Sequence, residues 1–151
     1  MFEISGKDIL STEFSSVIDF IAESKLIDLL LPHIPQSLQK FTDVHFSFVT
    51  PSESQTFNNL YRQIDKPTDV LSFEIQEETL LGELYISEDE IRANASYFNN
   101  NPEKECIMII VHGMLHLLGY DHSDTMFAIQ DKITAQLWND YQTNYRAGQS
   151  R

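Results

Sequence analysis

Apolar residues recur along the chain with two different spacings, and these spacings predict its secondary structure. Segments with apolar residues three and four positions apart are typical of amphipathic helices, whereas strict alternation is typical of half-buried strands. Val44, Phe46 and Phe48 alternate with polar residues in this second way. The predicted strands lie within 1–9 and at 43–49, 68–75 and 80–86. The predicted helices cover 15–31, 52–64, 87–98, 102–118 and 124–141.

The predicted helix 102–118 differs from the others because it is apolar on nearly every side. Asn101 and Pro102 are typical of the cap and first position of a helix, and an all-apolar helix belongs at the centre of a domain. The chain has 151 residues, 42% of them hydrophobic, which suits one compact domain over 1–151. We therefore expect an α+β fold, with one small mixed sheet of about four strands packed by helices and a loosely ordered polar tail at 142–151.

Composition restricts the environment and the partners. The longest apolar run, Cys106–Val111, is too short to span a bilayer, and residues 1–10 lack the pattern of a signal peptide. Cys106 is the single cysteine, so no internal disulfide forms, as is common in a reducing compartment. These features favour a cytoplasmic protein that is not bound to membranes. The net charge of −13 opposes nucleic-acid binding, which needs a basic surface.

Three of the five histidines lie within eleven residues. His112 and His116 are four positions apart, so both imidazoles lie on one face of the predicted helix. Gly119 can end that helix and reverse the chain, which lets His122 return towards the first two histidines. Three histidine ligands with an open fourth position are typical of catalytic zinc. The alternative, histidines with ordinary hydrogen bonds, leaves two imidazoles unexplained inside the most apolar helix.

The spacing His112-x3-His116-x2-Gly119-x2-His122 resembles that of the metzincin peptidases, with one departure. Gly113 stands where those enzymes carry a glutamate general base. The complete string from His112 to His122 resembles instead the signature of the YbeY family of endoribonucleases. Two further segments resemble motifs of that family: Tyr61-Arg62 with Pro67–Phe73, and Leu81–Ser87, in which Glu83 replaces the usual aspartate. The resemblance covers about 58–130.

The resemblance implies a zinc-dependent, single-strand-specific endoribonuclease that acts in ribosomal RNA maturation, including late processing of the 16S rRNA 3′ end, and in ribosome quality control. It implies one Zn²⁺ per chain, held by His112, His116 and His122, and a catalytic group made of these histidines and Arg62. The implied partners are ribosomal RNA and the small ribosomal subunit, with ribosomal proteins or an assembly GTPase as further candidates. Neither DNA nor a membrane is expected as a partner.

Arg62 has a clear chemical use in such an enzyme. Its planar guanidinium can bind two phosphate oxygens while negative charge develops in phosphodiester hydrolysis. The alternative is a helix-surface arginine paired with Asp65 or another acid. Lys66 is more typical of a solvated side chain than of a phosphate ligand. Asp69 is expected to bond backbone at the start of a strand. Two interpretations of Asp121 stay open: it orients an imidazole, or it caps the last helix.

Several other residues receive structural interpretations. His33, His45 and Cys106 are not expected to bind a metal ion. Tyr120 and Met126 are expected to pack around the site. Acidic residues cluster at 74–78, 88–90 and 103–105, and we expect these clusters to lie away from the cleft.

Two alternative functions remain. A zinc metallopeptidase is supported by the histidine spacing and opposed by Gly113. A non-enzymatic ribosome-assembly factor would hold its metal in a closed, structural site. An open fourth position on the metal would distinguish both enzymes from this factor.

Overall fold

The computed structural model describes residues 1–146 as an α+β fold with one mixed four-stranded sheet. The strands are β1 Phe2–Ser5, β2 Asp43–Phe48, β3 Val70–Glu77 and β4 Leu80–Ile86. The helices are α1 Thr12–Glu23, α2 Leu26–Leu30, α3 Pro51–Arg62, α4 Glu88–Tyr97, α5 Pro102–Leu117 and α6 Asp124–Asp140. The predicted fold class is therefore confirmed.

The sheet has the strand order β1-β2-β4-β3. Strands β1, β2 and β4 are parallel, and β3 runs antiparallel to β4 at one edge of the sheet. The predicted hairpin is confirmed, because β3 and β4 join through Glu78 and Thr79, and Glu78 adopts a left-handed conformation with φ 52°. This order leaves β3 open along one side, where it forms a wall of the cleft described below.

The first predicted helix, 15–31, is wrong in its extent, since the structure divides it into α1 and α2. Ser24 causes the break. Its hydroxyl donates to the carbonyl of Ile21 across 2.9 Å and accepts from the amide of Leu26 across 3.2 Å. A serine that bonds nearby backbone in this way competes with helical hydrogen bonds. The helix also begins earlier than predicted, at Thr12, because Ser11 caps α1 by accepting from the amide of Phe14.

Helix α5 lies at the centre of the fold, as its uniform apolar character predicted. It packs against β3 and β4 on one side and against α1, α4 and α6 on the others. Its N-terminus is capped by Asn101, whose side-chain oxygen accepts from the amides of Glu103 and Lys104. The core around α5 combines residues of the sheet and of the helices, including Phe14, Phe46, Leu84, Ile107 and Leu115.

Gly113 lies where α5 packs closely on the sheet. A Cβ atom there would lie 3.0 Å from both methyl carbons of Leu84 and 3.3 Å from a methyl carbon of Val70. Glycine therefore allows the helix to sit close to β3 and β4. The hydroxyl of Ser72 on β3 also donates to the carbonyl of Gly113 across 3.2 Å, which fixes the edge strand against the helix.

The C-terminal region is helical further than predicted. Tyr141–Arg146 forms a π-helical turn directly after α6, within the segment predicted as a loose tail. The remainder of that segment, 147–151, lies outside the described residues. Across 1–146, no helix has the length and apolar character needed to cross a membrane.

Candidate metal centre and cleft

The histidine cluster is built by the end of α5 and the turn that follows it. His112 and His116 lie one helical turn apart and are half-buried, whereas His122 is exposed. Gly119 adopts a left-handed conformation with φ 93°, and its amide donates to the carbonyl of His116 across 3.0 Å. The predicted helix stop is thus confirmed, and the reversal brings His122 back beside the other two imidazoles.

The Nε2 atoms of the three histidines converge. The distances are 3.1 Å between His112 and His116, 3.0 Å between His116 and His122, and 3.4 Å between His122 and His112. A tetrahedral zinc ion with Zn–N bonds of ~2.0–2.1 Å places its ligand nitrogens ~3.3–3.4 Å apart. Within 1–146 these histidines form the only group of three or more His, Cys, Asp or Glu residues placed to hold a metal ion.

The other ring nitrogens of His112 and His116 establish the protonation of both rings. Nδ1 of His112 lies 2.7 Å from Oε1 of Gln130, and Nδ1 of His116 lies 2.9 Å from the carbonyl oxygen of Tyr120. Both partners are acceptors only, so each Nδ1 carries the proton and donates it. Each Nε2 therefore has a free lone pair, which is the form that binds metal.

The same assignment shows that the cluster fits a cation. Two Nε2 lone pairs facing each other at 3.1 Å repel unless a positive ion lies between them. Burial lowers the pKa of His116, and the neighbouring His112 lowers it further, while the carbonyl of Tyr120 acts in the opposite direction. His116 is thus neutral at pH 7, as a metal ligand must be. The residues present fit a metal ion bound by nitrogen.

The histidines open onto a cleft of ≈ 690 Å³. Its other wall is made by edge strand β3 and by the last turn of α3, which carries Arg62. Arg62 is exposed, and Gln63 ends α3 directly after it in a left-handed conformation with φ 56°. Tertiary structure therefore brings Arg62 into the same cleft as His112, His116 and His122.

Arg62 has no carboxylate partner among residues 1–146. The suggested partner Asp65 instead accepts a hydrogen bond from the side-chain amide of Gln55, at 2.9 Å. The interpretation of Arg62 as one half of a surface ion pair with Asp65 is therefore wrong. Lys66 is exposed and does not line the cleft, which agrees with its interpretation as a solvated side chain.

The charge of the cleft differs from our expectation. The acidic clusters at 88–90 and 103–105 do lie elsewhere, but Glu74 lines the cleft together with Asp69 and Asp121. The expectation that the clusters lie outside it is wrong for Glu74, because β3 carries this residue along the cleft wall. Arg62 shares the cleft with three carboxylates, so a divalent cation at the histidines would balance the charges of these side chains.

Asp69 has the backbone role predicted for it. Its Oδ1 accepts from the amide of Val70 across 2.8 Å at the start of β3, and its Oδ2 accepts from the side-chain amide of Asn94 across 3.1 Å. Asp121 does not cap α6, since Ser123 accepts from the amide of Met126 at that position. Nor does it orient His112 or His116, whose Nδ1 protons go to other groups.

The remaining predicted packing roles are confirmed. Met126 is fully buried, and Tyr120 packs against the core while its hydroxyl donates to the carbonyl of His33 across 2.8 Å. Nε2 of His45 shares a hydrogen bond with the hydroxyl of Ser5 on the neighbouring strand, at 2.8 Å. Cys106 is buried in the core, and burial raises the pKa of its thiol far above the ordinary value.

Gln130 is the residue near the site that sequence reasoning missed. It lies on α6, is only 6% exposed, and accepts from His112. A signal was present in the sequence, because Gln130 is spaced with Met126, Ile133 and Leu137 on the buried face of an amphipathic helix. A polar residue in such a position needs a buried hydrogen-bond partner.

Comparison with known proteins identifies the family. The model of the family described as Endoribonuclease YbeY matches residues 10–138. The chain belongs to the YbeY endoribonuclease family. The Endoribonuclease YbeY of Thermotoga maritima is 37% identical over 130 residues, which cover 80% of this chain and 87% of the relative. That of Lysinibacillus sphaericus is 35% identical over 147 residues, covering 83% and 94%.

A solved structure has a similar fold. The solution structure of a Thermotoga maritima protein superposes with a TM-score of 0.65 and 30% sequence identity. The match covers 96% of this chain and 94% of that protein. The resemblance drawn from the three motifs is therefore confirmed, and it extends to the N-terminal half of the YbeY fold.

Proposed function

We propose that this protein is a zinc-dependent endoribonuclease that cleaves single-stranded RNA. One observation carries the proposal: one cleft contains the three convergent histidine nitrogens together with Arg62, which forms no ion pair within residues 1–146. Hydrolysis of a phosphodiester needs a site that activates water and a cation that stabilises charge on the phosphate. His112, His116 and His122 supply the first requirement by holding a metal ion, and Arg62 supplies the second.

The three histidines and Arg62 each have a defined part in this reaction. The three imidazoles would hold the ion through Nε2, with Gln130 and the carbonyl of Tyr120 orienting the rings of His112 and His116. When bound, zinc polarises a phosphoryl oxygen or lowers the pKa of water to ~7. Arg62 binds two non-bridging phosphate oxygens and stabilises their charge as it grows.

Zinc is the metal we propose because the ligand set consists of imidazoles. Carboxylate and water oxygens suit magnesium and calcium, whereas histidine nitrogen suits zinc and other transition metals. Three protein ligands are typical of catalytic zinc sites, in which the fourth position serves water or substrate. This feature favours an enzyme over an assembly factor with a closed structural metal.

The metallopeptidase alternative is less well supported. The position that would carry the general base is Gly113, and its Cα faces Leu84 and Val70 on the sheet. A side chain there would enter the packed region between α5 and the sheet. The cleft thus lacks a base at the position that the metzincin mechanism requires.

Ribosomal RNA is the substrate that we propose from membership of the YbeY family, with late processing of the 16S rRNA 3′ end and ribosome quality control as the biological roles. The three carboxylates of the cleft oppose tight binding of RNA to the isolated domain. Recruitment by the small ribosomal subunit, through ribosomal proteins or an assembly GTPase, would overcome this repulsion. A cytoplasmic location follows from this proposal and stays a prediction.

A cleavage assay tests the proposal. Zinc-loaded protein is incubated with ribosomal RNA, with a short single-stranded RNA, with the matching duplex and with casein. We expect cleavage of the two single-strand-containing RNAs, loss of activity with a chelator and no cleavage of casein. The His112→Ala variant, purified identically, serves as the blank for contaminating ribonuclease. Equal RNA cleavage by wild type and blank would contradict the proposal, and chelator-sensitive cleavage of casein would favour the peptidase.

A further inference from the structure

Four aromatic rings, three half-buried and one exposed, form a continuous row that ends at the cleft. Phe57 on α3 packs against Tyr85 on β4 with ring centroids 4.8 Å apart, and Tyr85 packs against Phe73 on β3 at 5.0 Å. Phe73 then contacts Tyr61 edge-to-face at 4.8 Å. Tyr61 is the outermost ring of this row.

The row holds Tyr61 in place while leaving it exposed. Phe57 and Tyr61 lie four positions apart on α3, so both rings project from the same face of the helix towards the sheet. Tyr61 nevertheless retains 58% of its accessible surface. An aromatic ring that packs against a neighbouring ring and is open to solvent loses little conformational freedom when it binds a ligand.

The location of Tyr61 connects it to the proposed chemistry. Tyr61 precedes Arg62 directly in the sequence, and both residues line the cleft with the three histidines. A nucleotide whose phosphate contacts Arg62 would therefore have its base near the ring of Tyr61. Bases of single-stranded RNA stack readily on exposed aromatic side chains. This stacking has no strong preference for purines or pyrimidines.

We propose that Tyr61 is a stacking platform for an unpaired RNA base next to the scissile phosphate. The inference rests on the proposed endoribonuclease function and adds a physical source for selectivity towards single strands. Bases within a duplex are already stacked on both faces, so the ring of Tyr61 has no free base surface to contact. A single-stranded segment offers that surface without the cost of unstacking a helix.

The test measures RNA binding separately from cleavage. Fluorescence anisotropy is recorded with a labelled single-stranded RNA in the His112→Ala background, where RNA stays intact. We expect Tyr61→Leu to weaken binding about 5- to 150-fold, the range for one base–aromatic stack. Tyr61→Phe should bind nearly as well as the parent, because it keeps the ring. Thermal unfolding of each variant shows whether the fold is retained.

Tyr97→Leu is the matched control, because Tyr97 is an 82% exposed aromatic residue on α4 that does not line the cleft. We expect this variant to bind RNA as the parent does, and all variants to bind the duplex equally weakly. An unchanged affinity of Tyr61→Leu for single strands would overturn the proposal. So would an equal loss on the duplex, or a loss in Tyr61→Phe as large as in Tyr61→Leu.

Abasic nucleotides placed in turn along the RNA locate the stacked base. At one position, next to the cleavage site, removal of the base should weaken binding to the parent but not to Tyr61→Leu, since both changes remove the same contact. If removal of a base weakened binding to the parent and to Tyr61→Leu equally at every position, the stacking role of Tyr61 would be contradicted. If zinc-loaded wild type cleaves RNA while Tyr61→Leu binds single-stranded RNA normally, the stacking role of Tyr61 is wrong but the proposed function stands. If wild type does not cleave RNA, the proposed function itself fails.

Discussion

Gln130 on α6 accepts a hydrogen bond from Nδ1 of His112 on α5 across 2.7 Å, and this contact joins two helices at the candidate metal centre. It places the ring proton of His112 on Nδ1 and leaves Nε2 free for a metal ion. Because Gln130 is 94% buried, its side-chain amide is held in place. The position of α6 thereby controls the orientation of a ligand on α5.

Replacing Gln130 should weaken metal binding without removing a ligand. We expect Gln130→Ala to lower zinc affinity about 10- to 100-fold, the usual effect of losing a hydrogen-bond partner of a ligand histidine. Competition with a chelating dye measures the affinity directly. Gln136→Ala is the control, because Gln136 is an exposed glutamine on the same helix. Equal affinities for the two variants would show that the contact does not orient His112.

Metal content and its pH dependence test the histidine assignment. Purified protein should contain one zinc per chain, and His116→Ala should lose it. Protons compete with metal for imidazole, so affinity should fall as pH decreases below ~6.5, the ordinary histidine pKa. Burial lowers the pKa of His116, so this ligand stays neutral to a lower pH than a free histidine. Stoichiometric zinc in His116→Ala, or constant affinity between about pH 5 and 8, would contradict the assignment.

Arg62 should affect cleavage far more than stability. We expect Arg62→Ala to keep its fold and zinc while RNA cleavage falls by ~10²–10³, the typical cost of one charge-stabilising donor. Arg62→Lys should recover part of this loss, because a point charge cannot bind two oxygens in a fixed plane. Lys66→Ala is the matched control, since Lys66 is a nearby exposed cation outside the cleft. Normal cleavage by Arg62→Ala would show that Arg62 has no catalytic part.

Gly113 should tolerate a long, charged side chain poorly. A Cβ atom would lie 3.0 Å from the methyl carbons of Leu84, and the carboxylate of Gly113→Glu would enter an apolar contact between helix and sheet. We expect Gly113→Glu to lower the free energy of unfolding by more than ~2 kcal/mol and to produce no peptidase. Denaturant unfolding and a mixed peptide library provide the two measurements. A stable variant that cleaves peptides would contradict both expectations.

Glu105 provides a prediction for stability that is independent of the metal. It is 7% exposed, and burial raises the pKa of its carboxyl group, although the side-chain amide of Asn100 donates to it across 3.2 Å. The folded state therefore holds its proton more tightly than the unfolded state. The resulting stability is present below the unfolded pKa and is lost as pH rises through the folded pKa.

Glu105→Gln should consequently be more stable than wild type at pH 7. The difference should shrink as pH falls through the raised folded pKa and should be gone below the unfolded value of 4.5. Thermal unfolding at several pH values measures this difference. Asp131→Asn, an exposed acid on α6, should show no comparable gain. A Glu105→Gln variant that is less stable than wild type at pH 7 would show that the carboxylate is stabilised by its surroundings.

Local patterns in the sequence were sufficient to predict most elements and the cluster of three histidines. Four-residue spacing places His112 and His116 on one helix face, and Gly119 permits the reversal that returns His122. All three residues lie within one short segment, so helix geometry and one left-handed turn almost determine their arrangement. The central position of α5 also follows from its uniform apolar character. The break at Ser24 contradicted the helical periodicity, because a side-chain hydrogen bond overrode it, and the helical turn Tyr141–Arg146 was not predicted.

Tertiary structure alone decided what surrounds these ligands. Arg62 lies far from the histidines in sequence, and it reaches their cleft only because β3 pairs with β4 and α3 packs on the opposite face of that sheet from α5. The contact of Gln130 with His112 depends on how α6 packs on α5, and Glu74 enters the cleft through the pleat of β3. Periodicity determines which face of an element is apolar, but it does not specify which two faces meet. Strand pairing and close packing specify that choice, and they depend on contacts between residues that are distant in the chain.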